Sequence, residues 1–233
     1  MKRNWMGYVL AASLLAPAPL VAQAPAQNQA QLKQILSEMD AASAHFRSAS
    51  ASFNADLYTA IVQQHEPQTG TIAFRREHGG TEMMVHITSE GGQPANRQLV
   101  FKHGQLDYYE PNLKQETIYS AGNNYESFLT IGFGGSGREL AAHWQITLEG
   151  TGMMNGVKVA KLDLVPKDAK VRNNFSHITI WIDPQKSLAY KQELFMPSGD
   201  TRTVNYTDVH YNKPLPSSMF TIHAAPGTKK IVK

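Results

Sequence analysis

Gly132, Gly134 and Gly137 stand in the spacing G-x-G-x-x-G. In a dinucleotide site that spacing lets the backbone close on a pyrophosphate at a helix N-terminus. The chemistry needs a strand before the loop, a helix after it and an acidic residue about twenty positions on. Here the preceding residues read as helix, and the chain lacks alternating strand and helix units. The loop therefore reads as the joint of a gating element, with Gly132, Gly134, Gly135 and Gly137 as its hinge. The stretch Gly134-Gly135-Ser136-Gly137-Arg138 approaches a nucleophile elbow, but Arg138 replaces the final glycine and the strained strand-to-helix setting is missing. Nine histidines are scattered, with no pair at ligand spacing and no H-E-x-x-H. No pair of carboxylates stands out. The expectation is no catalytic residue, no metal and no cofactor.

What remains is the apolar pattern. Leu32, Ile35, Leu36, Met39 and Phe46 recur at three- and four-residue steps, the period of one helix face. From Ala51 the period becomes two, with Phe53, Ala55, Leu57, Thr59 and Ile61 alternating with polar residues, as in a strand with one wet face. Further strands read at Gly70–Arg75, Glu82–Thr88, Leu99–Lys102, Leu106–Glu110, Gln115–Ser120, His143–Glu149, Val157–Val165, His177–Ile182, Leu188–Met196 and Thr201–His210. Turn residues punctuate them: His78-Gly79-Gly80, His103-Gly104, Asn155-Gly156 and Asp183-Pro184. Short turns between successive strands imply antiparallel pairing. A short helix, Tyr125–Ile131, and a second, Arg138–Trp144 with Ser136 near its cap, interrupt the run. The greasy strand face is rich in Phe and Met, which suit an adaptable pocket and a plain core equally well.

The N-terminus carries Lys2 and Arg3, an apolar run from Trp5 to Ala16, and small residues up to Ala26. That is the layout of a secretory signal peptide, and the run is too short for a permanent span. The reading is a cleaved leader, 1–26, and one mature domain, 27–233, in the periplasm. Removing Lys2 and Arg3 from 22 basic groups against 19 acidic ones leaves a net charge near +1, with no electrostatic footprint for nucleic acid. There is no cysteine, so neither a disulfide nor a lipidated N-terminal cysteine is available.

Several stretches together carry a family resemblance. They are Ser52-Phe53-Asn54-Ala55-Asp56-Leu57, then Gly70 to Arg76, then Leu99 through His103-Gly104 to Tyr109-Glu110-Pro111 with Lys114-Gln115, and the ending Ser217 to Ile222. This chain-long pattern resembles the periplasmic outer-membrane lipoprotein carriers, the LolA-like proteins. The resemblance implies a mainly β fold (α+β), an unclosed antiparallel β-barrel with an N-terminal helix and short lid helices over a hydrophobic cavity. It implies an acylated lipoprotein or lipid cargo, with an inner-membrane release complex and an outer-membrane acceptor as partners, and a monomer. Arg76 matches the family arginine that hydrogen-bonds the lid. Phe53, Leu57, Phe74, Phe101, Phe128 and Phe133 are placed near the cavity. Glu77 stands where the family has proline, and His103 where it has aspartate. A lipid-sensing regulatory module on the same fold, and an envelope hydrolase using Ser136, stay open as alternatives.

Overall fold

A computed structural model describes residues 23–77, 80–120 and 130–233. Residues 1–22 of the expected leader, the His78-Gly79 turn, and Phe128 with most of the expected Tyr125–Ile131 helix lie outside the described residues.

Helix α1 (Gln23–His45) buries Ile35, Met39 and Ala42, with Leu32 and Leu36 half-buried beside them. The turn out of the helix is clamped by Asn212. Its Nδ2 donates to the His45 carbonyl at 3.0 Å, and its Oδ1 accepts from the Arg47 amide at 2.8 Å. One side chain thus satisfies a helix-end carbonyl and the amide two residues beyond it.

The strands are β1 (Ser48–Thr59), β2 (Gln64–Glu77), β3 (Gly80–Glu90), β4 (Gln93–Lys102), β5 (Gln105–Glu110), β6 (Gln115–Ser120), β7 (Trp144–Met154), β8 (Val157–Pro166), β9 (His177–Asp183), β10 (Leu188–Phe195), β11 (Thr201–Tyr211) and β12 (Lys229–Val232). They form one sheet in the order β12-β6-β5-β4-β3-β2-β1-β11-β10-β9-β8-β7. Two antiparallel meanders, β1 to β6 and β7 to β11, are joined by the pairing of β1 with β11. The sheet is open, with β7 and β12 at its ends. Register shifts between Ser50 and Ser52, Thr69 and Gly70, Ile87 and Ser89, Leu148 and Gly150, and Ala189 and Lys191 mark bulges, which bend and coil a sheet.

Local chemistry explains the tight connections. Asn155 and Gly156 both take positive φ, 51° and 78°, as a two-residue hairpin turn of the right twist requires. His103 and Gly104 do the same at 52° and 72°.

Several features depart from the sequence expectation, among them β4, which begins at Gln93 rather than Leu99. β2 begins at Gln64 rather than Gly70, because Gln64 to Pro67 are all exposed and carry no apolar alternation. Pro67 is tolerated there since the paired run between β2 and β3 starts only at Gln68. β12, four residues long, pairs with β6 in parallel, the exception in an otherwise antiparallel sheet. Lastly, His143 closes helix α2 (Gly137–His143) instead of opening β7.

Topology places the future site. β6 lies beside one end of the sheet and β7 is the other end, and of the crossing between them residues 130–143 are described. The glycine loop and α2 belong to that crossing. Beneath them, one apolar cluster joins Phe46, Phe53, Phe74, Met83, Phe101, Phe133, Leu188, Val204 and Tyr206. A second packs Ile35 and Met39 of α1 and Leu140 of α2 on Trp144, Leu162, Leu164, Ile178, Ile180 and Ile182.

Candidate functional site

Alternate residues of neighbouring strands line a cavity of about 440 Å³ on the face that the crossing segment covers. β2 contributes Gln68, Ile72 and Phe74, β3 Met83, Val85 and Ile87, and β11 Arg202, Val204 and Tyr206. Phe53, Leu99, Tyr108, Ile178 and Leu194 extend the apolar wall, and Ile131, Phe133 and Phe175 approach from the connections. The volume falls in the lower part of the usual ligand-pocket range of about 300–1,000 Å³.

Phe133 stops one end. Its ring stacks on Phe74 with centroids 4.2 Å apart, and Tyr206 meets it edge-on at 5.0 Å. The glycine loop that delivers this ring is held at both sides. The Ala189 amide donates to the Gly132 carbonyl at 2.7 Å and the Gly134 amide to the Ser187 carbonyl at 2.9 Å. Ser187 Oγ donates to the Gly135 carbonyl at 2.6 Å, and Gln192 Nε2 to the Ile131 carbonyl at 2.7 Å.

Space, as well as backbone freedom, explains the glycines. Gly134 has φ +80°, and a Cβ there would strike the Phe46 ring; a Cβ on Gly137 would strike the Leu36 backbone. Gly132, Gly134 and Gly137 therefore seat the loop against α1 and β10. The G-x-G-x-x-G pattern is a packing signature here, and Gly135, which stands at one of its x positions, has open space around it.

Arg76 joins the sheet to both covering elements. Its Nη1 donates to the Ser43 carbonyl at 2.5 Å, and its Nη2 to the Gly134 carbonyl at 2.8 Å. The guanidinium lies 5.4 Å from the Phe46 ring centroid. Ser43 Oγ also donates to the Gly134 carbonyl, at 2.8 Å, so α1, β2 and the loop meet at one knot.

The wall has a polar end. Glu90 accepts from Gln68 Nε2 at 2.6 Å and from Arg97 at 2.7 Å and 2.6 Å. Tyr206 Oη donates to Gln192 Oε1 at 2.8 Å, and burial pushes its pKa far up, so it stays neutral. Burial pulls the pKa of Arg202 down, yet guanidinium stays charged throughout the ordinary pH range.

Of the residues singled out from sequence, Phe53, Phe74 and Phe133 line the cavity. Phe101 is buried in the apolar cluster and Leu57 packs half-buried against it, and neither is among the lining residues. Phe128 lies outside the described residues. Ser136 caps α2, accepting from the Glu139 amide at 3.1 Å, an architectural role. Among the described residues no group of three His, Asp or Glu side chains could hold a metal. No helix among them is long and apolar enough to cross a membrane. Arg202, Gln68 and Gln192 were missed from sequence. Arg202 and Gln192 sit in alternation with apolar neighbours, a signal that a polar residue faces inward.

The fold has solved counterparts. A conserved, uncharacterized protein of Thermus thermophilus superposes with a TM-score of 0.55 at 11% identity, over 87% of this chain and 99% of that one. MucB in the Pseudomonas aeruginosa MucA/MucB complex gives 0.52 at 13% identity, over 83% and 62%. A second MucB structure gives 0.52 at 14%, over 87% and 66%. Such identities speak for the fold alone. No curated protein matches significantly in sequence. The family described as outer membrane lipoprotein carrier protein LolA, however, matches residues 44–223. That span runs from the end of α1 to just beyond Phe220 and takes in Arg76, the covered cavity and its glycine loop, so the chain belongs to the LolA family.

Proposed function

We propose that the protein is a periplasmic carrier that takes an acyl chain into the covered cavity and moves it through water toward the outer membrane. The observation that carries this reading is the cavity itself, a largely apolar space of about 440 Å³ against which a hydrogen-bonded loop sets the Phe133 ring. Each buried methylene contributes about 0.8 kcal/mol, so a long chain needs such shelter to cross an aqueous compartment. A carrier must also release its cargo. The cover is held on by hydrogen bonds of Arg76, Ser43 and Ser187 around one ring, contacts that open without unfolding the sheet. No catalytic step is assigned, since Ser136 is engaged as a cap. Arg76 serves as the latch and Phe133 as the stopper, and Phe53 and Phe74 are cargo contacts.

The test is native mass spectrometry of the protein purified from the periplasm, with extraction and identification of bound lipid. Co-purifying acylated molecules, displaced by an apolar dye, are the expected result. A clean apo mass with no dye uptake would mean that the inner face is packed core. A stable stoichiometric complex with a regulatory protein would instead favour the sensing module.

A further inference from the structure

Two polar atoms of the cavity wall are buried and have no hydrogen-bond partner among the described residues, Arg202 Nε and Gln68 Oε1. Arg202 is the more telling. Glu90 is engaged by Arg97 and Gln68, and Arg97 has Glu110 at 3.9 Å besides. None of the ion pairs of the described residues includes Arg202. An enclosed guanidinium nitrogen without an acceptor is more costly than an idle amide oxygen, and the carboxylate that acts on Arg202, Glu90, already accepts from Arg97 and Gln68.

The register shows where this cation sits. Across β1, Arg202 pairs with Leu57, and Phe74 pairs with Ala49. These positions are eight residues apart, about 26 Å of extended strand. Arg202 therefore marks one end of the inner face, and the Phe74–Phe133 stack marks the other.

We propose that the cavity takes a single-chain amphiphile tail-first, its end at Phe133 and its anionic oxygen head against Arg202. The volume suits one chain, since it lies low in the range for small-ligand pockets. A carboxylate or phosphate head would complete the guanidinium with charge-assisted hydrogen bonds. Val204 and Leu194, adjoining Arg202 on β11 and β10, grip the first methylenes. The assignment rests on the acyl-carrier reading above and adds the head-group chemistry to it.

The test is competition against a bound apolar dye using palmitate, hexadecyl phosphate and methyl palmitate below their aggregation limits, on the full mature chain. The wild-type protein should bind an acidic amphiphile about tenfold tighter than the ester, the worth of one hydrogen bond to a charged group. Whichever of palmitate and hexadecyl phosphate binds tighter names the head. Arg202→Met, which keeps the apolar stem, should erase the preference, read as the ratio of acid to ester affinities so that any change in dye affinity cancels, and Arg202→Lys should restore part of it. Equal affinity for acids and ester in the wild-type protein would overturn the head-group assignment and leave the carrier reading standing. Failure of all three to displace dye, or of dye to bind, would sink the carrier reading and this assignment with it.

Discussion

The rings of Phe133 and Phe74 lie stacked, with centroids 4.2 Å apart and planes 17° from parallel. One ring belongs to the sheet and the other to the crossing loop, so the stack is where the cover meets the floor. Tyr206 closes the third side edge-on. Nothing covalent joins the two sides nearby, which makes an aromatic contact the natural place for opening.

Phe133→Ala should separate stopper from scaffold. Truncating a buried Phe costs about 3 kcal/mol and leaves a void, here continuous with the cavity. Urea unfolding should show that loss, while the loop's backbone bonds to Ser187 and Ala189 keep its path. Apolar dyes should enter faster and reach higher occupancy. Entry rates unchanged from wild type would show that Phe133 is only packing.

The glycine loop allows a paired test. Gly134→Ala places a methyl in the Phe46 ring at a backbone φ of +80°, and should cost about 2 kcal/mol from strain and clash together. Gly135→Ala meets open space and should change stability by less than about 0.5 kcal/mol. Thermal melts of the two variants decide. If both are neutral, the loop gives way as a true hinge; if Gly134 alone matters, it is a seat.

Some of this is legible in the sequence. The alternation from Ala51 onward, the Asn155-Gly156 turn and the α1 stripe are readable because each is a local rule acting on neighbours. Other parts are not. The clamp by Asn212 on His45 and Arg47, and the contact of Gly134 with Phe46, join residues distant in the chain. The glycine spacing suggests phosphate chemistry or a free joint, because a pattern of small residues does not reveal what presses against it. Phe101 groups with the cavity residues in sequence because Leu99 to Phe101 are all apolar. A continuous apolar run does not say which residues reach a pocket and which stay in packed core.

Glu82 predicts a pH dependence. It is buried on β3 with Arg75 Nη2 at 2.5 Å and Lys102 Nζ at 2.9 Å, and Arg75 in turn covers the Phe220 ring. Burial is the largest single influence and raises its pKa, but the hydrogen bonds from Lys102 and Arg75 and their two positive charges together outweigh it, leaving the carboxyl below its ordinary value. A depressed folded-state pKa stabilises above the unfolded value, about 4.3 for Glu, and that stability is lost as pH falls through the folded value. Stability should therefore drop from about pH 4 downward. Glu82→Gln should remove this component and cost about 2 kcal/mol at neutral pH, the worth of hydrogen bonds to a charged group, while Arg75 keeps Glu77 at 3.1 Å and Lys102 turns to solvent. Urea midpoints of both proteins at pH 7 and pH 3 measure it; parallel losses on acidification would assign the effect elsewhere.

Arg76 tests the latch. Its fork spans the carbonyls of Ser43 and Gly134, one on α1 and one on the loop. Removing it leaves the Gly134 carbonyl still bonded by Ser43 Oγ, so no buried acceptor is orphaned there. Arg76→Leu should then cost only about 1 kcal/mol of global stability. Local opening of the cover should rise far more, because the fork acts between elements rather than within the sheet. The expected result is dye release accelerated about tenfold with a nearly unchanged melt. Arg76→Lys should release at a rate close to that of Arg76→Leu, since an ammonium lacks the planar fork that bridges two carbonyls. Release rates equal to wild type in both variants would make Arg76 a surface ornament of the fold and place the latch in the Ser187 and Gln192 bonds instead.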